Sequence, residues 1–192
     1  MEAADETAWL VACLGNPGAE YEGTRHNAGF LAADLIAAEI RANYWKQECG
    51  AIVASHEWRG KDVVVAKPQS FMNLSGSPVA QLLRKHGIPK EHLVVVRDDL
   101  DLPEDSVRIK FASGHGGQNG VRSVIDKLQT KSFYQVRIGI GRPPGRMPVA
   151  DYVLTRPRGE AAELFAEGVR KGADCVMCFL EDGIVRAQDR FN

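Results

Sequence analysis

A single histidine with an asparagine on either side carries the first chemical signal in this chain. It lies in residues 24–27 (Thr-Arg-His-Asn), shortly after the turn-forming residues 15–18 (Gly-Asn-Pro-Gly). The neutral imidazole of His26 can take a proton from a water molecule, and the amide of Asn16 can position a substrate. A lone histidine in a loop is more often solvated or structural, so a catalytic interpretation needs partners from elsewhere in the chain.

Three later segments supply such partners at predicted strand or helix ends. Residues 67–76 place the amide of Asn73 beside the apolar Phe71 and Met72. Residues 98–103 follow a continuous apolar run and contain three aspartates. Residues 114–120 are rich in glycine, include Asn119 and open a predicted helix, where backbone amides are suited to binding an anion. Loops at strand ends are where α/β folds place their functional groups.

The three aspartates allow a second chemical interpretation, because Asp98, Asp99 and Asp101 could together bind a divalent metal. The sequence contains no second carboxylate cluster that would complete a metal-dependent nuclease site. Asp98 is equally suited to orienting a histidine, as carboxylates do in hydrolytic triads. Neither a P-loop nor a Gly-x-Ser-x-Gly elbow occurs, which argues against an NTPase and against a serine esterase of the α/β-hydrolase type.

The four cysteines do not form a disulfide framework. Cys175 and Cys178 make a Cys-x-x-Cys pair inside an apolar helical stretch, whereas a redox pair should lie at a strand-to-helix turn. A structural zinc site would need two further ligands at suitable spacing. We therefore expect buried, reduced thiols, and the sequence predicts neither a metal nor a cofactor.

Length and composition indicate a single globular domain. The chain has 192 residues, of which 44% are hydrophobic and 26% charged, as in soluble globular proteins. We expect a short N-terminal extension over residues 1–8 and one domain over residues 9–192. The acidic first residues do not resemble a secretion or transit signal, and no apolar run is long enough to span a membrane. The sequence therefore predicts a cytoplasmic protein with no membrane partner.

Basic residues are concentrated in residues 106–146. This window contains eight lysines and arginines and one acid, Asp126, so it carries a net charge of +7, whereas the whole chain carries −1. Such asymmetry is typical of a face that binds a polyanion. The alternative is a solvated surface that is basic by chance, and the unusual loops within the window favour the functional interpretation.

Predicted strands and helices alternate along the chain. Strands are predicted over residues 9–14, 51–58, 62–66, 93–97, 107–111 and 135–140, and helices over 28–43, 75–87, 121–128 and 159–180. The strands on either side of residues 59–61 should form a hairpin, so the sheet cannot be purely parallel. Ser77 is expected to cap the second helix and Gly87 to end it. The predicted fold class is a single α/β domain with a mixed, partly parallel, twisted sheet flanked by helices, in which the proline-rich residues 141–157 are the candidate mobile segment.

Taken together, these segments resemble the bacterial-type peptidyl-tRNA hydrolases. Six motifs follow one another in the family's order between residues 9 and 180: Gly-Asn-Pro-Gly, Thr-Arg-His-Asn, Phe-Met-Asn-Leu-Ser-Gly, Asp-Asp-Leu-Asp-Leu-Pro, Gly-His-Gly-Gly-x-Asn-Gly and Arg-Ile-Gly-Ile-Gly-Arg-Pro. Each motif alone is moderately specific, and the ordered set is strongly so. Two positions depart from the commonest pattern, since Gln118 stands where histidine is frequent and Ser70 where threonine is usual.

The resemblance implies a metal-independent hydrolase that cleaves the ester between an N-blocked peptide and the 3′-terminal ribose of tRNA. Such an enzyme recycles tRNA from prematurely released peptidyl-tRNA. The implied catalytic residues are His26 as the base that activates water, Asp98 as the carboxylate that holds its tautomer, and Asn16. The Asn16 amide is expected to accept a hydrogen bond from the peptide N–H through its oxygen and to donate through its nitrogen, and so to help reject a free α-amino group.

The resemblance also implies a set of substrate contacts. They are Tyr21 at the nucleotide end, Phe71 and Met72 under the peptide, Asn73 and Asn119 on the peptide main chain, and Lys110 and Arg137 on tRNA phosphates. The last two belong to the basic window and are expected to bind phosphates rather than to support the fold. The predicted partner is thus peptidyl-tRNA, bound through its acceptor stem and 3′ end.

We expect a monomer with no obligate protein partner. The alternative function is that of a non-catalytic RNA-binding protein of the same fold, such as a splicing cofactor. The presence of His26, Asp98 and all three asparagines argues against this alternative.

Overall fold

The computed structural model describes residues 8–192, and residues 1–7 of the expected N-terminal extension lie outside the described part. Its strands are β1 (Trp9–Cys13), β2 (Lys46–Glu48), β3 (Ala51–Trp58), β4 (Lys61–Pro68), β5 (Leu93–Asp99), β6 (Val107–Phe111) and β7 (Tyr134–Gly139). Its helices are α1 (Ala28–Glu39), α2 (Gly76–His86), α3 (Asn119–Leu128), α4 (Val149–Val153) and α5 (Glu160–Phe191).

The strands form one mixed sheet in the order β2-β3-β4-β1-β5-β7-β6. Strands β4, β1, β5 and β7 are parallel to one another, whereas β2, β3 and β6 are antiparallel to their neighbours. The predicted α/β fold class is therefore confirmed. The predicted hairpin is also confirmed: Trp58 pairs with Lys61, and Arg59 and Gly60 between them both have the positive φ that a two-residue hairpin turn requires.

The core lies in two layers, one on each face of the sheet. Helices α1 and α5 cover one face, and α2 and α3 cover the other. Strand β5 is buried along its whole length, as its continuous apolar run indicates. It nevertheless ends in three charged residues, Arg97, Asp98 and Asp99, so these charges are held at the buried carboxyl end of a central strand.

A glycine at the start of α1 brings this helix close to the sheet. A Cβ atom at Gly29 would lie 2.5 Å from the backbone N and O of Leu14 and 2.6 Å from the backbone O of Val96. Such distances are shorter than any side chain tolerates, so the approach requires glycine. The residues just before the helix, among them His26, are thereby placed against the ends of β1 and β5.

Several predicted boundaries are wrong, each for a local reason. The first helix ends at Glu39 rather than at residue 43, because Arg41 adopts a left-handed conformation with φ of 61°. Ser77 is not a cap, since α2 begins at Gly76 and Ser75 occupies the N-cap position, with its hydroxyl donating to the Met72 carbonyl. The closing helix continues beyond residue 180 to Phe191 and is interrupted only at Gly183.

The cysteines are free thiols. Cys13, Cys175 and Cys178 are buried and Cys49 is half-buried, and burial raises the pKa of Cys175 to about 12. This agrees with the expectation of buried, reduced thiols at Cys175 and Cys178. Within residues 8–192, no helix is both long and apolar enough to cross a membrane.

Candidate active site

A cavity of about 680 Å³ opens at the edge of the sheet where the parallel strands β1, β4 and β5 end. This volume falls within the range of small-ligand and cofactor sites. Seven of the ten site residues predicted from the sequence line it: Asn16, His26, Phe71, Met72, Asn73, Asp98 and Asn119. The other three, Tyr21, Lys110 and Arg137, lie outside the cavity lining.

His26 and Asp98 form a hydrogen-bonded pair at the base of this cavity. The Nδ1 atom of His26 lies 2.9 Å from Oδ2 of Asp98, and the two side chains are 15% and 3% exposed. Because a carboxylate only accepts, Nδ1 must carry the proton, and Nε2 remains as the basic nitrogen. Burial lowers the pKa of His26, but the charge of Asp98 and the hydrogen bond to it outweigh burial and raise that pKa above its ordinary value.

The second oxygen of Asp98 is also occupied. Its Oδ1 atom accepts a hydrogen bond of 3.1 Å from Nε2 of Gln118, the residue that caps α3. Sequence analysis singles out Gln118 only as a departure from a family pattern and does not assign it a contact. Asp98 is therefore held from both sides, by the imidazole through one oxygen and by the amide through the other.

Asn16 is held by three hydrogen bonds that its position in a loop does not reveal. Its Oδ1 atom accepts from the Met72 backbone N–H at 2.7 Å. Its backbone N–H donates to Asn27 Oδ1 at 2.8 Å, and its carbonyl accepts from Asn27 Nδ2 at 3.0 Å. The Met72 N–H uses one of the two acceptor sites of this oxygen, so the accepting role expected for it toward the peptide stays a prediction. The Nδ2 group remains available to the cavity as a donor.

The other two predicted asparagines are exposed on the cavity wall. Asn73 makes no side-chain hydrogen bond to the rest of residues 8–192, and Asn119 has only a weak contact of 3.5 Å with Arg122. Phe71 presents an exposed ring beside them, with the Tyr21 ring packed edge-on at 6.4 Å between centroids. Asn73 also borders a neighbouring cavity of about 780 Å³ that contains neither member of the His26–Asp98 pair.

The three aspartates of the acidic loop point to different partners. Asp98 binds His26, Asp99 accepts from Arg97 and Arg137, and Asp101 pairs with Arg142. No group of three or more His, Cys, Asp or Glu side chains in the described part of the chain is arranged to hold a metal ion. The donor set therefore does not favour the divalent-metal site considered from the sequence.

Three arginines lie side by side across neighbouring strands. Arg97 of β5 is in register with Arg137 of β7, which is in register with Arg108 of β6, so all three leave the same face of the sheet. We call this set the arginine row. The exposed fraction of these side chains rises toward the edge of the sheet. It is 3% for Arg97 and 18% for Arg137, and Arg108 is exposed.

Among residues 8–192, Asp99 is the one carboxylate that hydrogen-bonds to the arginine row, at 2.9 Å from Arg97 and 2.6 Å from Arg137. Like charges on directly opposed strand positions destabilise a sheet, so a row with surplus charge is suited to an anionic ligand. Arg137 also binds the buried Asp99, so it makes a contact within the fold besides the phosphate contact predicted for it. Arg97 is not among the residues predicted for the site, although a charged residue that ends an apolar strand is a signal in the sequence.

Residues 141–157 cover one side of the cavity. They contain the short helix α4, and Val149, Val153 and Leu154 face the cavity. Arg25, next to His26, donates to Thr155 Oγ1 at 2.6 Å, and its guanidinium lies 4.3 Å from the centroid of the Tyr152 ring. The segment expected to be mobile is thus anchored to the loop that carries His26.

Comparison with known proteins assigns this arrangement to a family. The family profile described as peptidyl-tRNA hydrolase matches residues 10–192. The chain is 44% identical over 184 residues to a peptidyl-tRNA hydrolase of Nocardia farcinica, covering 95% of each chain. It is also 44% identical over 191 residues to a peptidyl-tRNA hydrolase of Leifsonia xyli subsp. xyli, covering 97% of this chain and 98% of the other.

Solved structures agree with this assignment. The crystal structure of peptidyl-tRNA hydrolase from Acinetobacter baumannii superposes with a TM-score of 0.87 at 29% identity, covering 95% of this chain and 93% of the other. A 5′-methylthioadenosine nucleosidase of Arabidopsis thaliana superposes with a TM-score of 0.52 at 8% identity, covering 92% of this chain and 97% of the other. The second similarity reflects the fold alone.

Proposed function

The chain belongs to the peptidyl-tRNA hydrolase family and hydrolyses the ester that joins a peptide to tRNA, and from this premise we propose that His26 activates the attacking water. The observation that carries the proposal is the pair of His26 Nδ1 with the buried Asp98 carboxylate at 2.9 Å, which leaves Nε2 basic and facing the cavity. The raised pKa of His26 makes its neutral form a stronger base than an isolated imidazole.

The reaction needs no covalent intermediate with the protein. Water attacks the ester carbonyl carbon while Nε2 of His26 takes one of its protons, and the negative charge moves to the carbonyl oxygen. The tetrahedral intermediate then collapses, the bond to the ribose 3′ oxygen breaks, and the protonated His26 returns its proton to that oxygen. The products are a peptide carboxylic acid, which releases its proton to water, and a tRNA with a free 3′-terminal ribose.

Neutral amides are suited to stabilising the oxygen that becomes negative. The Nδ2 group of Asn16 is a donor whose direction is fixed, because Oδ1 of the same amide is bound to the Met72 N–H at 2.7 Å. Preorganised donors of this kind stabilise the transition state without reorganising during the reaction. Asn73 and Asn119, exposed on the cavity wall, provide further amides for the peptide main chain and the attacking water.

The apolar surface of the site is suited to the two ends of the ester. We assign the exposed Phe71 ring and the buried Met72 to the surface under the peptide, and Tyr21, packed edge-on against Phe71, to the terminal nucleotide. A base can stack on an exposed aromatic face, a contact worth ~1–3 kcal/mol.

The arginine row and the exposed Lys110 are assigned to phosphates of the acceptor stem. Lys110 follows Arg108 by two residues on β6, so both side chains leave the same face of that edge strand. One carboxylate among three guanidiniums leaves a net positive surface beside the catalytic cavity. Phosphate contacts of this kind position a nucleic acid without reading its sequence.

The proposed cellular setting follows from the substrate. Because peptidyl-tRNA is released by ribosomes, we place the protein in the cytoplasm, acting as a monomer without an obligate protein partner, metal or cofactor. A non-catalytic RNA-binding protein would have no use for the buried His26–Asp98 pair, which argues against that alternative.

The test is release of the acyl group from N-acetyl-aminoacyl-tRNA by the purified protein. The wild-type protein should release it with EDTA present, and His26→Ala should not. Absence of turnover by the wild type would refute the hydrolase. Loss of turnover with EDTA would favour the metal-dependent reaction instead. The exposed His56 on β3, remote from the cavity, provides the matched control: His56→Ala should retain full activity.

A further inference from the structure

Gln118 joins the start of helix α3 to the carboxylate that holds the catalytic histidine. Its Oε1 atom accepts from the Val121 backbone N–H at 2.8 Å, which makes it the N-cap of the helix. Its Nε2 group donates to Asp98 Oδ1 at 3.1 Å and lies 3.3 Å from the sulfur of Met72. The side chain is buried, so both ends of the amide are used inside the protein.

The orientation of this amide is determined by its partners. The Val121 N–H is a donor, so the oxygen of Gln118 must face it, and the NH₂ group must then face Asp98. Packing allows little room for an alternative. A Cβ atom at Gly120 would lie 2.5 Å from the Met72 sulfur and 3.0 Å from Gln118 Oε1, so this glycine lets the helix start approach closely.

We propose that Gln118 is a positioning residue of the hydrolytic reaction: by donating to Oδ1 it holds the Asp98 carboxylate in the rotation that presents Oδ2 to His26. This inference rests on the proposed role of His26 as the base. A carboxylate held only by His26 could rotate about its own axis, and the imidazole would turn with it. The Gln118 amide holds Oδ1 of Asp98 and is itself anchored at the start of α3. The backbone of α3 therefore sets the direction of the Nε2 atom of His26.

An amide is suited to this task because it does not titrate. Within residues 8–192, the charged side chains near the pair have partners of their own, namely Arg97 and Arg137 with Asp99, Arg142 with Asp101, and Arg25 with Thr155 and the Tyr152 ring. Gln118 adds a donor to Asp98 without adding a charge. The protonation of His26 therefore responds chiefly to Asp98, the one charged group that shifts its pKa.

Two substitutions separate the helix cap from the contact with Asp98. In Gln118→Ser the hydroxyl can still cap α3, because serine is a preferred N-cap residue, but it is too short to reach Asp98. In Gln118→Glu the cap is kept and the donor is replaced by a negative acceptor of the same length. Gln81→Ser on α2 is the matched control, since Gln81 is exposed and donates only to Ser77.

The first readout is the steady-state hydrolysis of N-acetyl-aminoacyl-tRNA. We expect Gln118→Ser to lower kcat by roughly ten-fold with KM nearly unchanged, because misplacement of the base affects the transition state rather than binding. The Tm should stay at the wild-type value because the cap remains. Gln118→Glu should lower kcat at least as much, and Gln81→Ser should not differ from the wild type.

The second readout is the pKa of His26, followed by its ring proton resonance in NMR and assigned by its absence in His26→Ala. A negative charge at residue 118 favours the protonated imidazole, so Gln118→Glu should raise the pKa of His26 by about one unit. Gln118→Ser should raise it less, because the carboxylate loses a neutral donor. The acid limb of kcat/KM should move to higher pH in the same order.

The outcomes distinguish this inference from the proposed function. If the wild type does not hydrolyse the substrate, the function itself fails, whereas the NMR titration still tests the contact. Wild-type kcat and an unchanged His26 titration in Gln118→Ser would overturn the positioning role. A loss of kcat accompanied by a matching loss of Tm in both variants would assign Gln118 to helix capping alone, which also overturns it.

Discussion

Replacing Asp98 by asparagine changes one carboxylate oxygen into an NH₂ group for which the structure offers no suitable place. One oxygen accepts from His26 Nδ1 at 2.9 Å and the other from Gln118 Nε2 at 3.1 Å. Toward Gln118 the new NH₂ group would meet another NH₂ group. Toward His26 it would require Nδ1 to accept, which moves the imidazole proton to Nε2, the nitrogen that must act as the base. Asp98→Asn therefore disturbs either the tautomer or the anchoring of the imidazole.

The size of the effect follows from the separation of the two groups. Unit charges at the 2.9 Å that separates Nδ1 and Oδ2 attract by about 1.4 kcal/mol in water and about 6 kcal/mol at an effective dielectric constant of about 20. Since one pKa unit corresponds to about 1.4 kcal/mol, loss of the charge should lower the pKa of His26 by at least about one unit. The loss of a positioned base should reduce kcat by ~10²–10⁴.

The assay is a pH series of kcat/KM on N-acetyl-aminoacyl-tRNA for the wild type, Asp98→Asn, His26→Ala and the double variant. The acid limb, which reports protonation of His26, should move to lower pH in Asp98→Asn. The double variant should be no slower than His26→Ala, because Asp98 acts through the imidazole. Fully additive losses, or an acid limb that does not move, would refute the coupling of the two residues.

The remaining predictions concern binding, selectivity and stability. His26→Ala should abolish turnover and leave the Kd for an uncleaved substrate analogue nearly unchanged; more than about a tenth of wild-type turnover would show that another group is the base. Lys110→Ala and Arg137→Ala should raise KM for full-length tRNA substrates but not for an acylated terminal adenosine. Of the two, only Arg137→Ala should lower the Tm, because it releases Asp99. Equal loss of activity on long and short substrates would place these residues at the catalytic centre. Asn16→Asp should keep the bond from the Met72 N–H but lose the donor that faces the cavity. Turnover should therefore fall, and the preference for N-blocked over free aminoacyl-tRNA should shrink. An unchanged ratio of the kcat/KM values for these two substrates would contradict this. Because the pKa of His26 is raised in the folded state, its charged pair with Asp98 stabilises the protein below about pH 6.5, and this stability is lost as pH rises through the folded-state pKa. The difference in unfolding free energy between the wild type and Asp98→Asn should therefore be larger in acid. A difference that does not depend on pH would contradict this prediction.

The sequence predicted which loops meet, because strand ends and turn residues leave clear local patterns. The hairpin around Gly60 and the charged end of the buried strand β5 were both visible as residue patterns, and the second of these places the aspartates at the same edge as His26. The sequence did not predict the partners of individual side chains. The family resemblance assigned both Asn16 and Arg137 to the substrate, and it did not reveal that the Asn16 amide also binds the Met72 N–H or that Arg137 also pairs with Asp99.

Element ends were the least predictable part of the fold, because tertiary contacts decide them. The closing helix resumes beyond Gly183, a residue that local propensity treats as a stop. The residue that caps its end, Asn192, accepts from the Ile109 N–H at 2.8 Å and donates to the Ile109 carbonyl at 3.0 Å through its side-chain amide. The helix end thus satisfies backbone groups on the outer edge of β6, an exposed strand edge that needs covering. A local pattern cannot report a contact with a strand about eighty residues earlier in the chain.

The pairing of charges around the cavity also gives a physical reason for rejecting an unblocked substrate. A free α-ammonium group that enters the site loses hydration, and it needs a carboxylate to compensate. Within residues 8–192, the carboxylates that line the cavity are all engaged: Asp98 by His26 and Gln118, Asp99 by Arg97 and Arg137, and Asp101 by Arg142. A blocked peptide carries no such charge, so it needs no carboxylate and can use the neutral amides and apolar side chains of the cavity. On this argument the site is selective because it offers the α-ammonium group no unpaired carboxylate. A new carboxylate at residue 16 is therefore the change that should weaken this selectivity most directly.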